Sequence, residues 1–123
     1  MKKLNKEDKI RLAKSENTPA DTLMKLADDD KHIRRIVAMS PNTPINILEK
    51  LAIDEEALVR RGVASNERTP AKILEVLSID DDWVVRMGVA KNPSAEVAVL
   101  EKLIDDGKEW VRIAAKNNPI IKR

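Results

Sequence analysis

Residues 54–77 read DEEALVRRGVASNERTPAKILEVL, and residues 80–103 read DDDWVVRMGVAKNPSAEVAVLEKL. Laid over each other at an interval of 26, they agree at an Asp, at a Val-Arg pair ending six residues later, at a Val-Ala pair, at an Asn and at two closing leucines. The beat extends outward to Ile33-Arg34 on one side and Val111-Arg112 on the other. A unit this short cannot bury its own apolar face, so copies must stack and share one core.

Each unit reads as two short helices of about ten residues with no strand between them. Thr-Pro at Thr18-Pro19, Thr43-Pro44 and Thr69-Pro70 marks the first helix, with the hydroxyl expected to cap free amides and proline to occupy the first helical position. Leucines follow at i, i+3: Leu23/Leu26, Leu48/Leu51, Leu74/Leu77 and Leu100/Leu103, one apolar stripe per helix. The second helix starts in the acidic clusters at residues 28–30, 54–56, 80–82 and 105–106, where carboxylates favour the positive end of the helix dipole. It stops near Ser40-Pro41, Asn66, Asn92-Pro93 and Asn118-Pro119, with Asn expected to take the left-handed conformation at the helix end.

Inside the second helix, Ile33/Val37, Val59/Val63, Val85/Val89 and Val111/Ala115 flank the arginine one turn apart and must face the core. Ile36, Gly62, Gly88 and Ala114 are mostly small, which lets neighbouring helices approach closely. His32 aligns with Leu58, Val84 and Trp110, so it is expected to belong to the packing rather than act as a base.

Composition narrows the function classes. With 123 residues and 42% apolar content there is one domain's worth of chain. Cysteine is absent, which excludes disulfides and thiolate metal sites and fits a cytoplasmic address. No apolar run approaches a membrane span, and Met1-Lys2-Lys3 leads into charged sequence, so the chain reads as soluble and unprocessed. Net charge is +2, but residues 1–14 carry +4 and residues 115–123 carry +3, leaving −5 in the middle. An acidic body with basic ends is poorly suited to tracking a polyphosphate along its length.

The succession Asp, Val-Arg, Val-Ala, Asn-Pro and Thr-Pro-x-x-x-Leu-x-x-Leu over roughly residues 9–119 resembles the leucine-rich repeat variant family, and its Asp/Arg spacing is similar to HEAT-type repeats. The resemblance implies an all-α, right-handed superhelical α-solenoid with no β-strands, here of about four and a half two-helix repeats of 26 residues. One domain, 1–123, would divide into an N-terminal capping unit 1–27, units 28–53, 54–79 and 80–105, and a partial unit 106–123. The first copy departs from the pattern, with Lys3 and Lys9 where Asp and Arg would stand, and the fourth has Ala95-Glu96 for Thr-Pro. Lys122-Arg123 falls where the next helix would begin, so the last unit is either a cap or the edge of a longer array that could self-associate weakly. Some members carry a cysteine-rich cluster-binding region; with no cysteine here, none of that chemistry carries over and no cofactor is expected.

The arginine column admits two readings. Asp28, Asp54, Asp80 and Asp106 precede Arg34, Arg60, Arg86 and Arg112 by six residues, and in HEAT-like repeats such pairs tie turn to helix within or between units. That makes a structural ladder; the other reading is an exposed anion-binding stripe. The acidic clusters lack the ligand spacing and glycine of a calcium loop, and serines 15, 40, 65, 78 and 94 have no histidine partner, so no catalytic or metal site is expected and the chain is read as a non-enzyme.

Function is sought in the columns that do not keep the beat. Three before, one after and five after each arginine stand Lys31/Arg35/Met39, Ala57/Arg61/Ser65, Trp83/Met87/Lys91 and Glu109/Ile113/Asn117. They share one helix face directed away from the core. Arg35, Arg61, Trp83, Met87, Lys91 and Ile113 have the composition of a surface for a protein or peptide partner. The competing readings are a neutral surface with Trp83 packed on its neighbour, and a nucleic-acid-associated protein gripping phosphates through its basic ends and exposed arginines.

Overall fold

The computed structural model describes residues 3–121, so the charges counted at Lys2, Lys122 and Arg123 lie outside the described residues. Among those described, the chain is all-helical, with nine helices and no strand: α1 (Lys6–Lys14), α2 (Ala20–Leu26), α3 (Lys31–Met39), α4 (Ile45–Leu51), α5 (Ala57–Ser65), α6 (Ala71–Leu77), α7 (Trp83–Lys91), α8 (Val97–Leu103) and α9 (Glu109–Lys116). The odd-numbered helices pack on one another in chain order, and each even-numbered helix packs against the odd helices before and after it. The even helices span seven residues, shorter than the spacing leads one to expect.

One reason lies at the Thr-Pro steps. Pro19, Pro44 and Pro70 are extended, with ψ near 150°, and precede the helices as cap residues instead of opening them as first helical residues. The threonine hydroxyls do not cap the helix that follows. Each donates backward to the helix before it, Thr43 Oγ1 to the Val37 carbonyl at 2.6 Å, Thr69 Oγ1 to Val63 at 2.7 Å and Thr18 Oγ1 to Leu12. A helix end leaves carbonyls unpaired, and at a buried end a nearby hydroxyl satisfies one of them.

The core follows the periodic columns. Both leucines of each even helix, the valines and isoleucines flanking each framework arginine, and Ala38, Ala64 and Ala90 are buried. The small residues of α5 and α7 serve close approach: a Cβ on Gly62 would lie 2.9 Å from Ala38 Cβ, and one on Gly88 would lie 2.9 Å from Ala64 Cβ. Such distances leave no room for a methyl group, so glycine is required for packing at a propensity cost of about 1 kcal/mol.

Asparagine has a different task from the one its helix-end position indicates. No described residue has positive φ, and Asn66 and Asn92 are extended. Their side chains are buried rungs between successive odd helices. Asn66 Nδ2 donates to the carbonyls of Ala38 and Ser40, Asn92 Nδ2 to Ala64 and Asn66, and Asn118 Nδ2 to Ala90 and Asn92, all at 2.8–3.0 Å. Each Oδ1 accepts the amide two residues on, from Arg68, Ser94 or Ile120. Asn is the side chain that combines two donors and an acceptor in so short a reach. Ser40 holds the equivalent position at the end of α3, and its buried hydroxyl has no partner among the described residues.

Candidate interaction surface

The framework arginines are built from the turns upward. Arg60 Nη1 donates to the Asp54 carbonyl six residues earlier at 2.7 Å, while Nε and Nη2 grip the Asp80 carboxylate at 2.8 and 3.1 Å. Arg86 repeats this with the Asp80 carbonyl and the Asp106 carboxylate. The six-residue spacing is therefore a backbone contact, and the ion pair runs twenty residues forward to the next acidic turn. Those Asp side chains also accept an amide two residues on, which closes the turn. Of the acidic clusters, Asp30 and Asp82 supply helix caps, whereas Glu56 and Lys108 stand at the cap position without a side-chain bond.

Asp28 is not part of this ladder. The turn between α2 and α3 is one residue shorter than its counterparts, so Arg34 Nη1 reaches the Asp29 carbonyl at 2.7 Å and Lys9 pairs with the Asp29 carboxylate at 2.8 Å. Asp28 is exposed and pairs with Lys50. Arg34 grips Asp54 at 2.8 and 3.2 Å, and Arg112 donates to the Asp106 carbonyl at 2.7 Å.

The electrostatics agree with this geometry. Burial pushes the Asp54 carboxyl up, but hydrogen bonds from Arg34 and the Glu56 amide, with the charges of Arg34 and Arg60, outweigh it and hold the group below 3.8. Asp106 is held down in the same way, against burial, by Arg86, the Lys108 amide and Arg112. Asp29 is lowered by its bond to Lys9, then by the Asp30 amide. Hydrogen bonds to Asp54 and Asp80 raise Arg34 and Arg60 respectively.

Once these contacts are made, two arginines are left over. Among the described residues, Arg35 and Arg61 are the arginines whose guanidinium groups meet no acceptor, whereas Arg11, Arg34, Arg60, Arg68, Arg86 and Arg112 all donate. Arg35 is exposed and Arg61 half-buried, its Cγ lying beside Gly88. Lys91 and Ile113 are exposed, and Met39 shows 52% of its surface. Trp83 and Met87 are only half exposed. Both rest on the core, and Lys108 Nζ sits 4.6 Å from the Trp83 ring centroid. Trp83 is thus partly held by the neighbouring turn, which limits it as a free contact residue.

His32 is corrected outright. Its column is on the surface, with His32 exposed, Leu58 exposed, Val84 half-buried and Trp110 59% exposed. On these helices of eight or nine residues, the position two before the arginine lies beside the outward columns and outside the buried stripe. Leu58 and Trp110 therefore join the candidate surface. The signal was present in the sequence, since His, Leu, Val and Trp at equivalent places do not form a repeating core type.

Hollows on this face follow the same helices. One of about 430 Å³ is lined by Lys14, His32, Arg35, Ile36, Met39, Ser40 and Pro41. A second of about 350 Å³ is lined by Met87, Lys91, Trp110, Ile113 and residues at the end of α9. Among the described residues no group of three or more His, Asp or Glu side chains could hold a metal ion, and no helix is long and apolar enough to cross a membrane.

No family model, curated protein or solved structure matches this chain.

Proposed function

We propose that this chain is a non-enzymatic, HEAT-like α-solenoid of about four and a half helix pairs, similar to the leucine-rich repeat variant family, whose odd-helix face binds a protein or peptide. One observation carries the reading: every framework arginine is consumed by a turn or a carboxylate, while among the described residues Arg35, which lines hollows with exposed Met39 and Leu58, and Arg61 are left without polar partners. Unpaired guanidinium groups next to apolar side chains are what protein interfaces favour. The chaining of odd helices supports the stacked arrangement, because it repeats one helix-to-helix contact at each step. A single exposed histidine and the absence of cysteine support the non-enzymatic reading.

The test compares affinity capture by three purified forms: the native chain, a variant combining Arg61→Glu, Met87→Asp and Trp110→Ala, and a control altered on α6 at Lys72→Glu and Glu75→Lys. A partner retained by the native chain and the control but lost by the face variant is the expected result. Equal recovery by all three contradicts it. Tight binding to duplex or single-stranded nucleic acid that falls steeply with salt would favour the nucleic-acid reading instead.

A further inference from the structure

The odd-helix face is not uniform along its length, and its polarity points to one kind of occupant. On α1, α3 and α5 the outward positions carry Lys14, Lys31, Arg35 and Arg61, none of which has an ion-pair partner among the described residues. Glu56 lines a hollow with Lys31, His32 and Arg35, and Asp30 precedes Lys31 in the chain. On α7 and α9 the equivalent positions carry half-buried Trp83 and Met87, exposed Trp110 and Ile113, and the charged pair of positions Lys91 and Glu109. The basic half has a hollow of about 430 Å³ where Lys14, His32 and Arg35 stand at the walls together with Ile36, Met39 and Pro41. The apolar half has one of about 350 Å³ walled by Met87, Trp110 and Ile113, with Lys91 as its lining cation.

Resting on the partner-binding reading above, we propose that the occupant is an extended segment with carboxylates at one end and large apolar side chains at the other. Its acidic end lies across α1, α3 and α5, and its apolar end inserts between α7 and α9. Charge complementarity selects the acidic class. Cationic side chains with no internal partner gain from meeting carboxylates, and Arg presents a planar fork suited to them. A basic or neutral segment would leave those charges uncompensated at the interface. The apolar end supplies affinity, because Trp110 and Ile113 are already dehydrated on one side and lose the rest of their water on contact. Charge also favours this direction, since reversing the segment would leave Arg35 and Arg61 facing apolar side chains and offer its carboxylates Lys91 in place of Lys14, Lys31, Arg35 and Arg61. Five helices packed side by side have four steps of 8–10 Å and cover about 32–40 Å, which an extended segment of about 10–12 residues spans.

Selection of a display library of random peptides of about 16 residues on the immobilised full chain tests this, with selected peptides measured by fluorescence anisotropy at about 0.05 and 0.2 M salt. The expected peptides carry Glu or Asp in one half and Trp, Phe, Leu or Met in the other. They bind at least about tenfold more weakly to the double variant Arg35→Glu, Arg61→Glu, and to Trp110→Ala, and more weakly at the higher salt. Since neither arginine has a polar partner among the described residues, the double variant should keep the native melting profile, as should Trp110→Ala with its side chain 59% exposed, and Arg35→Lys, Arg61→Lys should retain most binding. Neutral or basic peptides that still lose binding to Trp110→Ala overturn the acidic assignment and leave the binding face standing. Peptides indifferent to all these substitutions, or no enrichment at all, overturn both.

Discussion

Replacing Asn92 with alanine withdraws three hydrogen bonds from a site where the side chain is only 1% exposed. Its Nδ2 donates to Ala64 at 2.8 Å and Asn66 at 3.0 Å, and its Oδ1 accepts the Ser94 amide at 2.8 Å. A net bond contributes about 1 kcal/mol, and each buried group left bare costs about 1–3 kcal/mol, so the loss should fall at about 3–5 kcal/mol. Asn92→Asp is the sharper probe. It keeps the acceptor for Ser94 but points a second oxygen at two carbonyls, so the ionised form is repelled and buried while the protonated form can donate to one of them. The folded-state pKa of that Asp is therefore raised above its unfolded value of about 3.9, and its contribution is present below that value and lost as pH rises through the folded one. Urea unfolding followed by circular dichroism at pH 4 and pH 7 should show Asn92→Asp losing at least as much as Asn92→Ala at pH 7 and recovering part of it at pH 4. A loss below about 1 kcal/mol for alanine, or an Asp variant as stable as the native chain at neutral pH, would refute the rung.

Other outcomes follow from the same contacts. Because Asp29, Asp54 and Asp106 are held below 3.8, their stabilisation is present above the unfolded carboxyl value and lost as pH falls through the folded values; a melting series from pH 6 to pH 2 should decline most steeply below 3.8. Arg60→Ala should cost about 1–3 kcal/mol, and a double-mutant cycle with Asp80→Ala should show strong coupling, which an additive cycle would contradict. Gly62→Ala gains about 1 kcal/mol of helix propensity but drives a methyl group against Ala38 Cβ at a cost of about 1–3 kcal/mol; it should destabilise, and Ala38→Gly in the same chain should restore part of the loss on thermal melting. Thr69→Val should cost about 1–2 kcal/mol while Thr69→Ser keeps most of the stability, since the hydroxyl bonded to Val63 is retained; equal losses would mean the methyl group, not the bond, matters.

The sequence by itself determined the helices and their buried faces. Leu48, Leu51, Leu74 and Leu77 at i, i+3, and the valines around each arginine, declare an apolar stripe whatever the neighbours are, because local periodicity sets which side of a helix can lose water. It also singled out Gly62 and Gly88 as packing positions, since no turn needs them there. What it could not carry was the partner of each polar side chain. The six-residue interval between Asp54 and Arg60 is real, yet the bond is to a carbonyl, and the carboxylate that Arg60 grips stands twenty residues on. Thr69 and Asn66 have the composition of caps and helix ends, but tertiary packing buries the ends of the preceding helices, and their bare carbonyls claim these side chains. The column of His32, Leu58, Val84 and Trp110 is mixed enough in the sequence to mark it as outside the core, but how far each side chain is exposed depends on how its helix packs. Hydrogen-bond acceptors are identical along the backbone, so a sequence marks where donors stand, and only the fold decides which carbonyl each one meets.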